Sequence, residues 1–244
     1  MKELLFYIVI LLANIIQGIT GFAGTILAMP FGIMLVGYDV AKPILNVLGL
    51  LSGIYVFVGN KEHVDWKEFR KIVIIMAVGI FAGIGIKYLL TGQEGILYKA
   101  LGIFVVVLAI QGLYKMLGVK EEKQQDRPSR GSIGLLIGAG AAHGIFVSGG
   151  PLLIGYLTQK IKDKEAFRAT ISTVWIILNT IIMVSDIQSG LWNLQLVKTQ
   201  VITIPFLLAG MFIGGKLYKI MSQRFFMILT YVLLFISGIT LLIK

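Results

Sequence analysis

The 244-residue chain carries too few charged side chains for a water-soluble protein of its size. Residues of the AVILMFWYC set make up 57% of it, charged residues make up 14%, and the mean hydropathy is +0.90. These values exclude a soluble globular domain and indicate an integral membrane protein. A net charge of +10 would suggest a nucleic-acid partner in a soluble protein. In a membrane protein, basic residues usually mark the loops that face the cytoplasm, so no nucleic-acid partner is expected. The chain has no cysteine, which excludes disulfides and Cys-ligated metals.

Uncharged runs divide the chain into eight segments. They are 4–38, 43–60, 72–86, 100–114, 131–159, 169–185, 199–215 and 225–243. Six have about the length of one spanning helix, which needs roughly 20 residues once the flanking residues are counted. The first run has 35 residues. As one straight helix it would be about 52 Å long, far beyond an apolar core of roughly 30 Å.

Glycine-rich segments interrupt both long runs near their middle, at 18–24 and at 144–151. Glycine permits non-helical backbone, and Pro151 is tolerated where a helix begins. Each long run is therefore predicted to form two short helices joined by an unwound turn at membrane depth. The second helices are expected to begin near Thr25 and Pro151, and neither piece is expected to span comfortably. The N-terminal run lacks a signal-peptide cleavage site, which favours mature protein.

The two halves of the chain resemble each other when one is shifted by 126 residues. The aligned landmarks are Gln17-Gly18 with His143-Gly144, Gly24 with Gly150, Lys42 with Arg168, Trp66 with Trp192, and Gly112 with Gly238. A small slip then aligns two small-xxx-small packing patterns, 79–83 and 210–214. Duplicated units of this kind are common in transporter folds. The predicted domains are a first repeat at 1–117, a cytoplasmic polar linker at 118–130 and a second repeat at 131–244.

The distribution of Lys and Arg predicts the orientation of the segments. If all eight runs crossed the bilayer, the two sides would carry 12 and 10 basic residues. If the two long runs instead enter and return as hairpins, the counts become 16 and 6, which fits the tendency of basic loops to remain inside. The predicted fold is thus an all-α polytopic membrane protein. It has two inverted repeats, each a Gly-broken helical hairpin plus three transmembrane helices. The protein is expected in the cell membrane, with both termini outside the cell and the linker in the cytoplasm.

The broken runs are the predicted functional region. Non-helical backbone at bilayer depth normally lines a protein-buried cavity or a water-filled path. The amide groups that begin the second helix of each hairpin would attract an anion. No carboxylate lies within an uncharged run, since Asp39, Asp163 and Asp186 lie in loops or near span ends. A cation site would usually require an intramembrane carboxylate, so anion transport is favoured.

The candidate substrate-binding residues are polar or glycine residues at the breaks and on the adjoining helices; no catalytic residue, metal or cofactor is expected. They are Gln17, Thr20, Gly21, Thr25, Asn46, His143, Ser148, Gly149, Gly150, Arg168, Thr170, Ser172 and Asn179.

Structural roles remain open for the same side chains. His143 could be a core histidine bonded to a carbonyl or a substrate or proton-relay group. Arg168 and Lys42 could be interfacial anchors. The polar residues of the second and sixth runs could be hydrogen-bonding contacts between helices.

Several sequence features resemble one known family. They are the Gly-rich first run with Pro30, then His143-Gly144, Ser148-Gly149-Gly150-Pro151-Leu152-Leu153, Phe167-Arg168-Ala169-Thr170, and Asn179. With these features the chain resembles the sulfite exporter TauE/SafE family of membrane permeases over essentially its whole length. The resemblance implies export of sulfite or a related organosulfur anion such as sulfoacetate. The first half departs from the expected glycine run in having Gly21-Phe22-Ala23-Gly24-Thr25.

The predicted mechanism is alternating access, with the anion held at the bilayer midplane between the two hairpins. Amide groups and hydroxyls would bind it, and Arg168 and His143 would neutralise its charge. An anion channel with the same lining, a permease for an unrelated small anion, and a homodimer all remain open. An intramembrane enzyme is disfavoured because H-E-x-x-H, G-x-S-x-G and paired carboxylates within a span are absent from the sequence. The expected partners are a small anionic substrate and the lipid bilayer.

Overall fold

A computed structural model describes residues 2–89, 94–117, 130–146 and 149–243, and in these residues the chain is helical without strands. The helices are α1 (Lys2–Thr20), α2 (Ala23–Val36), α3 (Tyr38–Asn60), α4 (Trp66–Leu89), α5 (Glu94–Leu117), α6 (Arg130–Phe146), α7 (Gly150–Lys160), α8 (Lys164–Gln188), α9 (Leu194–Ile220) and α10 (Gln223–Ile243). A short 3-10 turn, Lys61–His63, follows α3. Most of the predicted linker, 118–129, lies outside the described residues.

Each of the six single runs forms one helix, and each helix extends past its uncharged run. The helix α8, for example, begins at Lys164, five residues before the run at 169–185. The charged ends continue the helix because long basic side chains can bury their stems while the charge reaches the interface. The sequence therefore predicted the helices but shortened them.

Five described segments are long and apolar enough to cross a membrane. They are Lys2–Thr20, Tyr38–His63, Lys164–Gln188, Leu194–Ile220 and Gln223–Thr240. Shorter apolar helices cover Val105–Tyr114 and Ile133–Gly144. These lengths and compositions describe a multi-pass membrane protein.

Both predicted helix breaks are confirmed. The helix α1 ends at Thr20, Gly21 adopts a φ of +82°, and α2 begins at Ala23. In the second half, α6 ends at Phe146 and α7 begins at Gly150. The expectation that neither piece of a broken run could span is wrong for α1, whose 19 residues suffice. The helix continues through Gly18 because close packing against α9 compensates for the helix-weakening effect of glycine.

The described chain forms two compact units. Unit 1 combines Met1–Val73 with Glu165–Met221, and unit 2 combines Ile74–Lys164 with Ser222–Lys244. Each unit therefore contains helices from both halves of the sequence. The predicted repeats describe sequence halves rather than compact bodies, so their boundaries stay a prediction.

In unit 1, α1 and α2 form a tight antiparallel hairpin. A Cβ on Gly24 would lie 2.7 Å from Cβ of Gln17, and one on Gly32 would lie 3.2 Å from the ring of Phe6. Only glycine lets the two helices approach so closely. The helix α9 runs parallel to α1, with Gly214 against Gly18. The core between them is apolar, including Phe6, Ile10, Ile44, Leu45 and Met211.

Also in unit 1, α3 and α8 run antiparallel. Three contacts fix the direction and succeed one another along the two helices: Gly53 with Ser172, Asn46 with Asn179, and Lys42 with Asp186. Unlike the apolar contacts of α1 with α9, these are mostly polar. They form the polar core of unit 1.

In unit 2, the same kinds of pairing occur. The helix α4 runs parallel to α6, where Gly79 faces Gly140 and Gly83 faces Ala141. The helix α5 runs antiparallel to α10, with Gly112 against Tyr231 and Gly238 against Val105. Both small-xxx-small patterns noted in the sequence thus act as helix-packing surfaces.

Candidate functional site

The first turn of α2 is capped by side chains of α1. The Gly24 amide donates to Oε1 of Gln17 at 2.8 Å. The amides of Phe22 and Ala23 donate to Oγ1 of Thr20 at 3.3 and 3.2 Å. These are the donors that a helix start leaves unsatisfied. The amide groups expected to hold the anion are therefore already engaged in the described conformation.

The carbonyl end of α1 is capped from α8. Arg168 donates to the Gly18 carbonyl from both Nε, at 2.9 Å, and Nη2, at 2.6 Å. Its guanidinium also lies over the ring of Tyr218, 4.4 Å from the ring centroid. The Gly21 carbonyl accepts from Nε2 of Gln17 at 3.3 Å. Arg168 is 5% exposed, so its charge serves the broken helix rather than the interface.

A line of hydrogen bonds connects the break to α3. Gln17 donates through Nε2 to Oγ of Ser52 at 3.0 Å, and that hydroxyl donates to the Gly49 carbonyl at 2.8 Å. Ser172 of α8 lies beside the same break, where its hydroxyl is 3.5 Å from the Gly21 carbonyl. The structure thus brings Gln17, Thr20, Gly21, Arg168 and Ser172 together at the break.

A second polar cluster lies further along α3 and α8. Asn46 donates through Nδ2 to the Asn179 carbonyl at 2.9 Å, and the two residues are 1% and 6% exposed. A Cβ on Gly49 would lie 2.7 Å from Nδ2 of Asn179 and 3.3 Å from Oγ1 of Thr25. We name Thr25, Asn46, Gly49 and Asn179 the asparagine cluster. It joins three helices, α2, α3 and α8.

One atom of the asparagine cluster is left unsatisfied. Oδ1 of Asn46 is buried and has no hydrogen-bond partner among the described residues. A buried acceptor without a donor costs about 1–3 kcal/mol. Such an atom in a buried polar cluster is suited to a ligand or water that supplies the missing donor.

An ion pair continues the polar core beyond the asparagine cluster. Nζ of Lys42 lies 2.5 Å from Oδ1 of Asp186, and the two side chains are 13% and 2% exposed. The sequence allowed an interfacial anchoring role for Lys42 and indicated no role for Asp186. The spacing of Lys42, Asn46, Gly49 and Gly53 along one helix face is the signal that could have revealed a polar stripe.

The remaining predicted residues lie elsewhere. The hydroxyl of Thr170 accepts from the Asp65 amide at 2.9 Å, so it supports the start of α4 instead of the asparagine cluster. In unit 2, His143 is 2% exposed on α6, where Gly149 packs against its Cβ. Gly150 begins α7 and is buried. Ser148 lies outside the described residues.

A multi-pass helical protein whose helix break and polar core are buried among apolar helices belongs to the class of membrane permeases. The family model described as "Sulfite exporter TauE/SafE" matches residues 6–241. The chain therefore belongs to the sulfite exporter TauE/SafE family, as its sequence features predicted. Comparisons with curated proteins and with solved structures gave no match. Membership makes the chain a membrane transporter of a sulfur-anion family and not an enzyme.

Proposed function

We propose that the protein exports a small sulfur-containing anion, such as sulfite, sulfoacetate or a related organosulfonate, by alternating access. Family membership supports the substrate class. The described residues contain no group of three or more His, Asp or Glu side chains that could hold a metal ion. Hydrogen-bond donors at the asparagine cluster would bind an oxyanion through charge-assisted hydrogen bonds.

The proposed topology has six spans and two hairpins in the cell membrane, with both termini outside. The directions of two helix pairs support it. If each of the eight uncharged runs crossed once, α3 would run parallel to α8 and α5 parallel to α10. Both pairs are antiparallel, as hairpins that return to the side they left require.

The proposed inverted repeat is supported by reciprocal contacts. A shift of 126 residues relates Asn46 to Ser172 and Gly53 to Asn179, and these four residues form the contacts Asn46 with Asn179 and Gly53 with Ser172. Exchanging the halves thus converts one contact into the other. Contacts of any antiparallel helix pair keep the sum of the two residue numbers constant, so the reciprocity reports that the related helices α3 and α8 are antiparallel, as inverted repeats require.

The same test applies to α5 and α10. The shift relates Gly112 to Gly238 and Val105 to Tyr231, and the contacts are Gly112 with Tyr231 and Gly238 with Val105. Both pairs of related helices are therefore antiparallel. A two-fold axis between inverted repeats would give the related helices this direction.

The asparagine cluster is the proposed anion site within unit 1. The observation that carries this assignment is the unsatisfied Oδ1 of Asn46, buried where Asn179 and Thr25 both pack close to Gly49. The anion would accept hydrogen bonds from Nδ2 of Asn179 and Oγ1 of Thr25. The unsatisfied Oδ1 of Asn46 would accept from a protonated oxyanion or from a water bound with it.

The other predicted site residues keep proposed roles within their own units. Gln17, Thr20, Gly21, Arg168 and Ser172 would hold the broken helix in the shape that presents Thr25. His143, Ser148, Gly149 and Gly150 would serve the second hairpin. Thr170 would hold the start of α4.

The test is sulfite flux in liposomes containing the purified full-length chain. Asn179→Leu removes the proposed donor at similar volume, and we expect KM for sulfite to rise by about tenfold or more, as the loss of a hydrogen bond to a charged ligand predicts. Thr180→Val is the matched control, since that hydroxyl donates to the Ile176 carbonyl of its own helix. Equal KM values for wild type and Asn179→Leu would remove the site assignment. Absence of flux for sulfite and for sulfonates in the wild type would remove the function.

A further inference from the structure

The ion pair of Lys42 and Asp186 is buried in the part of unit 1 that the anion is proposed to use. Asp186 is 2% exposed and lies two residues before the end of α8. Charged side chains in a membrane-spanning helix are expensive, and those that occur usually serve ion or substrate pathways. An apolar pair of similar volume would hold two helices together as well or better. The retention of two charges at this position therefore calls for a use beyond helix packing.

Lys42 is the cation nearest to the asparagine cluster along these helices. It precedes Asn46 by four residues on α3, a rise of about 6 Å on the same helix face. Arg168 precedes Asn179 by eleven residues on α8, a rise of about 16 Å. Nε and Nη2 of Arg168 also both donate to the Gly18 carbonyl, so its guanidinium is already engaged. Lys42 is thus better placed than Arg168 to balance the charge of an anion at the cluster.

While Asp186 is ionised, Lys42 has no net charge to offer. The ammonium lies 2.5 Å from Oδ1 of the carboxylate, so the pair is neutral overall. The second carboxylate oxygen, Oδ2, is buried and has no hydrogen-bond partner among the described residues. A proton can bind at Oδ2 without displacing an existing bond, and it would convert the neutral pair into a single positive charge.

No other titratable side chain is described in contact with Asp186. The remaining ones at this end of unit 1 are the exposed Lys2, Glu3, Tyr38, Asp39 and Lys198 and the half-buried Tyr7. His63 and Glu165 form a half-exposed pair, 3.5 Å apart, at the opposite end of α3 and α8. Within the described part of unit 1, Asp186 is the buried carboxylate able to couple proton binding to the charge of Lys42.

We propose that Lys42 and Asp186 form a proton-controlled counter-charge for the transported anion. A proton from the solution binds Asp186, the ion pair loses its attraction, and the ammonium of Lys42 turns to the anion at the asparagine cluster. The anion and the proton leave on the same side, and the ionised carboxylate then recaptures Lys42. One proton therefore moves with each anion, and a monoanion is carried without net charge. The proposal rests on the proposed function and names its coupling ion.

The experiment uses the full-length chain in liposomes, with sulfite flux and internal pH recorded together while potassium and valinomycin set the membrane potential. The wild type is expected to move one proton per anion and to respond weakly to the potential. Asp186→Asn is permanently neutral, so we expect its sulfite flux to lose the accompanying proton flux and to respond to the potential. Lys42→Gln should raise KM for sulfite by about tenfold or more, because a charge-assisted contact is lost. All variants meet the same sulfite species at each pH, so differences between them report on the protein.

The double variant Lys42→Gln/Asp186→Asn allows the proposal to be tested even if an unpaired buried charge prevents the single variants from folding. It is expected to transport with a raised KM and without proton flux. His63→Gln and Lys198→Gln are the matched controls and should retain the wild-type KM and proton flux. A double variant with the wild-type KM and proton flux would overturn the proposal and leave the pair a packing element. So would Asp186→Asn with unchanged proton coupling. Wild-type protein that moves no anion would instead refute the proposed function.

Discussion

Gly49→Ala tests whether the asparagine cluster is the anion site. The new Cβ would lie 2.7 Å from Nδ2 of Asn179 and 3.3 Å from Oγ1 of Thr25. The first distance is too short for any real Cβ contact, so the amide of Asn179 must move away. Because Asn179 is only 6% exposed, it can move only by disturbing its neighbours or by filling the proposed anion space.

The expected energies separate function from stability. Overpacking a buried site costs about 1–3 kcal/mol, whereas replacing glycine by alanine inside a helix gains about 1 kcal/mol. The free energy of unfolding should therefore fall by no more than about 2 kcal/mol. Losing the Asn179 contact to a charged ligand should raise KM for sulfite by about tenfold or more.

The assay is sulfite flux in liposomes together with thermal unfolding in detergent. Gly59→Ala is the matched control, since it lies on the same helix and a Cβ there would meet nothing within 4 Å. That variant should transport normally and be slightly more stable. Gly49→Ala with the wild-type KM would refute the assignment of the asparagine cluster as the anion site.

Three further substitutions test the packing and the helix break. Gly214→Ala forces a Cβ against the backbone of α1 and should abolish folding, whereas a Cβ at Gly215 meets nothing within 4 Å, so Gly215→Ala should fold. The yield of each variant after size-exclusion chromatography measures this difference, and equal yields would contradict the packing. Thr20→Val removes the cap of α2 and should lower the free energy of unfolding by about 1–2 kcal/mol, measured by thermal unfolding; an unchanged melting temperature would contradict the cap. Arg168→Lys keeps the charge but loses the two-pronged contact with Gly18, so stability should fall by about 1–3 kcal/mol with little change in KM. A raised KM at unchanged stability would show that Arg168 contacts the anion instead.

The helix breaks were predictable from the sequence because their signals are local. Helix starts were expected near Thr25 and Pro151, and they lie at Ala23 and Gly150. Dense glycine with a neighbouring proline changes backbone preference within a few residues of itself. The family resemblance was likewise predictable, because the motif around Gly149 and Arg168 is contiguous in the sequence.

The partners of the polar side chains were not predictable in the same way. Asn46 and Asn179 are 133 residues apart, Lys42 and Asp186 are 144 apart, and Arg168 and Gly18 are 150 apart. Such pairs depend on which helices pack together, and hydrophobic periodicity carries no information about that choice. The sequence therefore predicted Arg168 as a substrate ligand but gave no sign that it caps α1. It also placed Asp186 near a span end without detecting that Lys42 pairs with it.

The amide groups of α2 show how local capping can overrule a general rule. Helix starts attract anions, and this favoured the amides of the first hairpin as the binding groups. Gln17 and Thr20, both among the predicted substrate ligands, satisfy those amides themselves. Their described role is to hold the broken helix.

The central claim is that the chain carries a small sulfur anion across the membrane by exposing one site to each side in turn. Solute counterflow tests it most directly, with labelled sulfite added outside liposomes preloaded with excess unlabelled sulfite. An alternating-access carrier predicts that label accumulates transiently above its external concentration, and that Asn179→Leu reduces this accumulation while Thr180→Val does not. Uptake that only equilibrates would indicate a channel, and no uptake of sulfite or of any sulfonate would contradict the proposed function.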